Sequence, residues 1–104
     1  MPKRARNYEE TLLERLSDRD YAVEYLNAVL AEEAADPTGN FLAALRLVAK
    51  AQGLTITKLA NDAELGRQAL YRSLSKRGNP ELETLTRILR ELGFRLAVEG
   101  ASAR

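Results

Sequence analysis

Apolar residues return every three to four positions along most of the chain, the spacing of helices that turn one face inward. Tyr8, Leu12, Leu13 and Leu16 follow it and predict a short helix over Glu9 to Leu16. Asp18 or Asp20 then caps a longer helix. Its stripe is Tyr21, Ala22, Tyr25, Leu26, Val29 and Leu30, with Glu24, Asn27, Glu32 and Glu33 on other sides. Asp36-Pro37 stops it, because a residue before proline avoids the α region. The same pair opens the next helix, with Asp36 as cap and Pro37 at the first position. Phe41, Leu42, Leu45, Val48 and Ala49 form that helix's buried stripe, and Gly53 ends it.

After Gly53 the elements become short. Thr55 caps a helix that turns Leu59, Ala60 and Ala63 inward, and a turn follows at Glu64-Leu65-Gly66. The next helix, Arg67 to Lys76, buries Leu70 and Leu74 and leaves Arg67, Gln68, Tyr71 and Arg72 outward. Gly78-Asn79-Pro80 breaks it, with Asn79 as cap and Pro80 at the first position of a helix carrying Leu82, Leu85, Ile88, Leu89 and Leu92. Gly93 terminates that helix. Phe94, Leu96 and Val98 then alternate with Arg95, Ala97 and Glu99, the period of one half-buried strand, and Gly100 to Arg104 reads as a frayed tail. The expectation is one all-α domain over 1–104, with a helical extension at 1–36, a core at 37–93 and a C-terminal β-strand at 94–99.

Composition narrows the chemistry. The 104 residues are 45% hydrophobic and 30% charged, ordinary for a packed soluble chain. With six Phe and Tyr residues and no Trp, the core must be aliphatic. The absence of Cys and His excludes disulfides, Cys/His zinc sites, thiol nucleophiles and Ser-His relays. Ser17, Ser73, Ser75 and Ser102 therefore have no histidine to activate them, and the carboxylates read as caps and solvated faces. The sequence calls for no enzyme, no metal and no cofactor. It has no apolar run of the roughly 18 residues a bilayer span needs, and its basic N-terminus leads into a charged helix. A cytoplasmic protein is expected.

Charge is unevenly spread. Residues 1–36 hold five basic and nine acidic side chains, −4, and residues 37–104 hold eleven and six, +5. Gly66 to Pro80 carries Arg67, Arg72, Lys76 and Arg77 with no carboxylate, a place for a polyanion to dock or simply a solvated basic face. The same region meets the demands of a helix-turn-helix. Ala60 is small where two helices cross, Leu65 is apolar in the turn, and Leu70 and Leu74 anchor the second helix. An ordinary helical hairpin also fits these spacings.

The motifs Thr55 to Ala60, Leu65-Gly66-Arg67, Leu70 to Leu74, Gly78-Asn79-Pro80 and Leu82 to Leu85 resemble the lambda-repressor-like (Xre/Cro-type) helix-turn-helix. More narrowly, Tyr8 to Val98 resembles the HigA-type addiction-module antidotes. Tyr25-Leu26-Asn27-Ala28, Phe41-Leu42-x-Ala44-Leu45, Leu70 to Ser75 and Leu92 to Val98 carry that likeness. The resemblance implies an antitoxin that neutralises a RelE/ParE-like toxin, represses its own operon and binds palindromic operator DNA as a homodimer. By position it assigns base reading to Arg67, Gln68 and Arg72. Arg suits guanine and Gln adenine. Phosphate contacts fall to Thr57, Lys58, Tyr71, Lys76, Arg77 and Asn79, though Tyr71 also fits as a ring covering Leu74. Arg87 and Arg90 read as a solvated face.

Two positions depart from the family. Glu64 stands where Gly is usual in a left-handed turn, and Gly66 stands where Ser or Thr usually caps the second helix. Glu64 adds backbone strain and a carboxylate near the phosphates, whereas Gly66 costs only a few tenths of a kcal/mol as a cap, and neither change abolishes the motif. A stand-alone phage-type repressor, or an interaction module that has lost DNA binding, are the alternatives. A lone strand cannot satisfy its own edge, so Phe94, Leu96 and Val98 are expected to pair with a symmetry mate or with the toxin's sheet, unless the segment stays an unpaired tail. The acidic N-terminal helices suit a basic toxin, or cover the core with Tyr21, Tyr25 and Val29.

Overall fold

The computed structural model describes residues 2–62, 64–75 and 78–101. Six helices and no strand appear among them: α1 (Pro2–Leu16), α2 (Arg19–Ala31), α3 (Pro37–Ala51), α4 (Ile56–Asp62), α5 (Arg67–Ser73) and α6 (Leu82–Glu91). The all-helical class is as expected.

α1 begins at Pro2 rather than Glu9. Proline suits a first helical position, and Lys, Arg and Ala are good helix formers. No apolar stripe marks residues 2–7. At α2, Asp18 is the cap and accepts from the Asp20 N–H at 3.1 Å. α2 ends at Ala31, short of the predicted stop at Asp36-Pro37, with Glu32 as its C-cap. Glu32 and Glu33 there oppose the negative end of the helix dipole, so the helix closes before proline can act. Asp36 and Pro37 do open α3 as predicted, the Asp36 carboxylate accepting from the Gly39 N–H at 3.0 Å.

α3 is the central rod. It packs on both α1 and α2, while α4 packs on α5 and α6. Leu42, Ala44, Leu45, Val48 and Ala49 of α3 meet Leu16, Ala22, Leu26, Leu59, Ala60, Leu70, Leu74, Ile88, Leu89 and Leu92 in one cluster. Every buried core residue is aliphatic, and among the described residues no polar or charged side chain is buried. Tyr21, Tyr25 and Val29 lie half-buried against this cluster, so α2 does cover the core. Burial, aided by Tyr8, Tyr21 and Glu32, pushes the Tyr25 phenol up and keeps it neutral. Leu30, placed by periodicity in the buried stripe, is instead 57% exposed.

Two expectations at the C-terminal end need correction. Asn79 and Pro80 do not cap and open α6: Glu81 is the N-cap and the helix starts at Leu82. Gly78 is held against the end of α5, its N–H on the Ser75 carbonyl at 2.8 Å, and residues 79–81 carry the chain from there to α6. The predicted strand at 94–99 is not formed, and residues 94–101 carry neither helix nor strand. A strand exists only as one side of a ladder, and no other described segment supplies a second side. Phe94 still packs half-buried on the core, whereas Leu96 is 43% and Val98 99% exposed.

Candidate nucleic-acid interface

Thr55 caps α4 as expected: its hydroxyl accepts from the Lys58 N–H at 3.1 Å and its carbonyl from Leu59 at 2.9 Å. Leu59 and Ala60 turn inward and are buried; Ala63, the third inward position, lies outside the described residues. The turn closes α4 by two bonds, Leu65 N–H to the Ala60 carbonyl at 2.8 Å and Glu64 N–H to the Asn61 carbonyl at 3.2 Å. This is the Schellman pattern, and Leu65 packs half-buried on the core as its hydrophobic partner. Glu64 takes the left-handed position, with φ at 59°.

Gly66 then caps α5 in extended conformation without a side-chain bond. α5 is seated by Leu70, which has no exposed surface, and by Leu74 just beyond its end. Arg67, Gln68, Ala69, Tyr71 and Arg72 are all exposed, so the three residues assigned to base reading share one open face. The Tyr71 ring is 51% exposed, and the Arg67 guanidinium carbon lies 5.8 Å from its centroid. That cation–π contact, worth about 0.5–1 kcal/mol at an exposed site, orders the first Arg of the face. α5 stops at Ser73, earlier than the predicted Lys76, and the Arg72 carbonyl accepts from both the N–H and the hydroxyl of Ser75.

Of the positions assigned to phosphate, Thr57, Lys58 and Asn79 are exposed, Tyr71 sits on the α5 face, and Lys76 and Arg77 lie outside the described residues. Lys58 forms an ion pair with Asp62 at 3.1 Å, one turn along α4. Arg87 pairs with Glu83 at 2.9 Å, in keeping with a solvated α6 face.

One supporting residue had no sequence signal. Arg46 of α3 donates from Nη1 to the Leu74 carbonyl, 28 positions away, closing the C-terminal end of α5. A cation there satisfies an orphan carbonyl and complements the helix dipole. Nothing in a stripe pattern could reveal it, because it depends on how α3 and α5 come to lie together.

Among the described residues, no group of three or more His, Cys, Asp or Glu could hold a metal ion, and no helix is long and apolar enough to cross a membrane. The molecule thus presents a short helix with two guanidinium groups, a carboxamide and a phenol on one open face, backed by an aliphatic core. Its sequence matches, over residues 7–100, the family described as "Probable addiction module antidote protein", and the chain belongs to that family. An uncharacterized protein of Haemophilus influenzae is 31% identical over 86 residues, which cover 83% of this chain and 84% of the relative. No solved structure matches the chain.

Proposed function

We propose that the chain is a DNA-binding antitoxin of the HigA type, in which α4, the Glu64 turn and α5 act as a lambda-repressor-like helix-turn-helix. The observation that carries this is the division of α5: Leu70 fully buried on one side, Arg67, Gln68 and Arg72 open on the other. A helix so seated can enter a major groove about 12 Å wide, where Arg donates to guanine and Gln pairs with adenine. Thr57, Lys58 and Asn79, all exposed, and Tyr71 on the face itself are assigned phosphate contacts, and Lys76 and Arg77 join them by sequence position.

The mechanism is occupancy and not catalysis. A cytoplasmic homodimer places two α5 helices in successive major grooves about 34 Å apart and represses the operon encoding it and a RelE/ParE-like toxin. Membership in an antidote family supports a toxin partner. The competing reading, an interaction module without DNA binding, rests on the exposed Glu64 carboxylate beside α5.

Binding of the chain to the DNA upstream of its own gene, measured by fluorescence anisotropy over a salt series, separates the two. A steep fall of affinity with salt, and a loss of about 1–3 kcal/mol on that DNA but not on random DNA for Arg72→Ala, are expected. Equal losses on both DNAs, or no binding at low salt, would overturn the reading.

A further inference from the structure

The segment after α6 is unfinished by its own chain. Among the described residues, 95–101 make no hydrogen bond, either through backbone or side chain. Yet Phe94, Leu96 and Val98 alternate with Arg95, Ala97 and Glu99, and the segment forms one wall of a groove of about 650 Å³ whose other wall is α2. Val23 and Leu30 of α2, Leu96 and Val98 leave apolar surface open along that groove.

We infer that residues 94–100 form an antiparallel two-stranded ladder with the same residues of a second copy, centred on Ala97. The sequence is self-complementary about that residue. In this register Arg95 faces Glu99 of the partner, Leu96 faces Val98 of the partner, and Phe94 faces Gly100 of the partner. Ala97 meets Ala97 of the partner on the two-fold axis. Directly opposed side chains in such a pair lie about 4.5–5.5 Å apart at Cβ, so each copy contributes one half of two ion pairs and two apolar pairs. Residues facing one another share a side of the ladder. The apolar side therefore carries Phe94, Leu96 and Val98 of both copies over the open surface of α2, and the small central residue lets the two backbones approach. Shifting the register by one residue would set Leu96 against Ala97 and Arg95 against Val98, mixing the two sides. An isologous contact of this kind closes at two copies, which is the symmetry a palindromic operator requires.

This gives the dimer in the proposed function its interface, and it is tested without DNA, so that its failure leaves operator binding to be judged on its own. Because the chain has no cysteine, single cysteines report the register cleanly. Under diamide, Ala97→Cys is expected to cross-link to a covalent dimer, since directly opposed positions fall in disulfide range. Arg95→Cys is expected to stay uncross-linked, and Arg95→Cys mixed with Glu99→Cys to cross-link. By sedimentation equilibrium, Arg95→Glu and Glu99→Arg each weaken the dimer about tenfold, and the double reversal restores it. A monomer at all concentrations would overturn the inference, as would a dimer indifferent to these charges. So would a tail that pairs only when a toxin is added, leaving Ala97→Cys uncross-linked in the pure protein.

Discussion

Leu70 and Val98 are both aliphatic residues with arginines close by in sequence, yet the first has no exposed surface and the second is 99% exposed. The difference lies in what each element needs to be finished. A helix pairs most of its backbone along its own chain, so α5, although only seven residues long, requires an apolar side, a supporting core and partners for its end groups, such as Arg46 on the Leu74 carbonyl. A strand satisfies nothing alone. The segment 94–101 has the composition and alternation of a strand but cannot become one until a second strand lies beside it. One part of the molecule is thus complete in a single chain, and the other has no second strand beside it among the described residues.

The largest expected effect tests that contrast directly. Leu70→Ala should cost about 2–5 kcal/mol of folding stability, because the removed atoms leave a cavity under α5. Val98→Ala should change the stability of the dilute, dissociated chain by no more than about 0.5 kcal/mol. Urea unfolding at low protein concentration measures both. Similar losses from the two variants would mean that the tail is packed within its own chain.

A smaller effect is expected at Arg46. Hydrogen bonds to charged groups contribute about 1.5–3 kcal/mol, and half-exposure of this one puts Arg46→Met near the lower end. Its signature is local: faster amide exchange at the C-terminal end of α5, with α1 to α3 unaffected. Uniform loss of protection through the molecule would make Arg46 a general packing residue instead.

How much was legible in advance follows the same line. The buried faces of α3, α4 and α5 could be read from spacing, since a stripe such as Leu42, Leu45 and Val48 and the inward pair Leu59-Ala60 are local facts of sequence. The α5 face was legible too, because Arg67, Gln68 and Arg72 are simply what remains once Leu70 and Leu74 are turned in. Helix ends were read less well. Asp18, Asp36 and Thr55 announce themselves as caps, but Glu81 does so without a side-chain bond, and the decoy Asn79-Pro80 looked better. Arg46 was invisible, being a contact 28 residues apart in sequence. The strand misled for a physical reason: alternation specifies which side would be buried, not whether anything is present to bury it.

The last comparison is among three helix ends closed in one way. After α3, α4 and α6 the same pair of bonds recurs, the second running to Leu54, Leu65 and Phe94, each half-buried on the core. The left-handed residue is Gly53, φ 75°, at the first end and Gly93, φ 91°, at the third, but Glu64, φ 59°, at the second. A side chain with Cβ costs about 1–2 kcal/mol in that conformation. Glu64→Gly should therefore stabilise the fold by about 1 kcal/mol, somewhat reduced by the greater freedom glycine gives the unfolded chain. It also removes an exposed carboxylate at the entrance to α5, so DNA affinity should rise at low salt, with the gain shrinking as added ions screen the charge. The reverse change, Gly53→Glu, meets no steric neighbour and should lose about the same 1 kcal/mol without touching DNA binding. If Glu64→Gly left stability unchanged while Gly53→Glu cost the expected amount, the turn before α5 would be held by something other than backbone preference. If stability rose but affinity did not, the Glu64 carboxylate would not face the duplex.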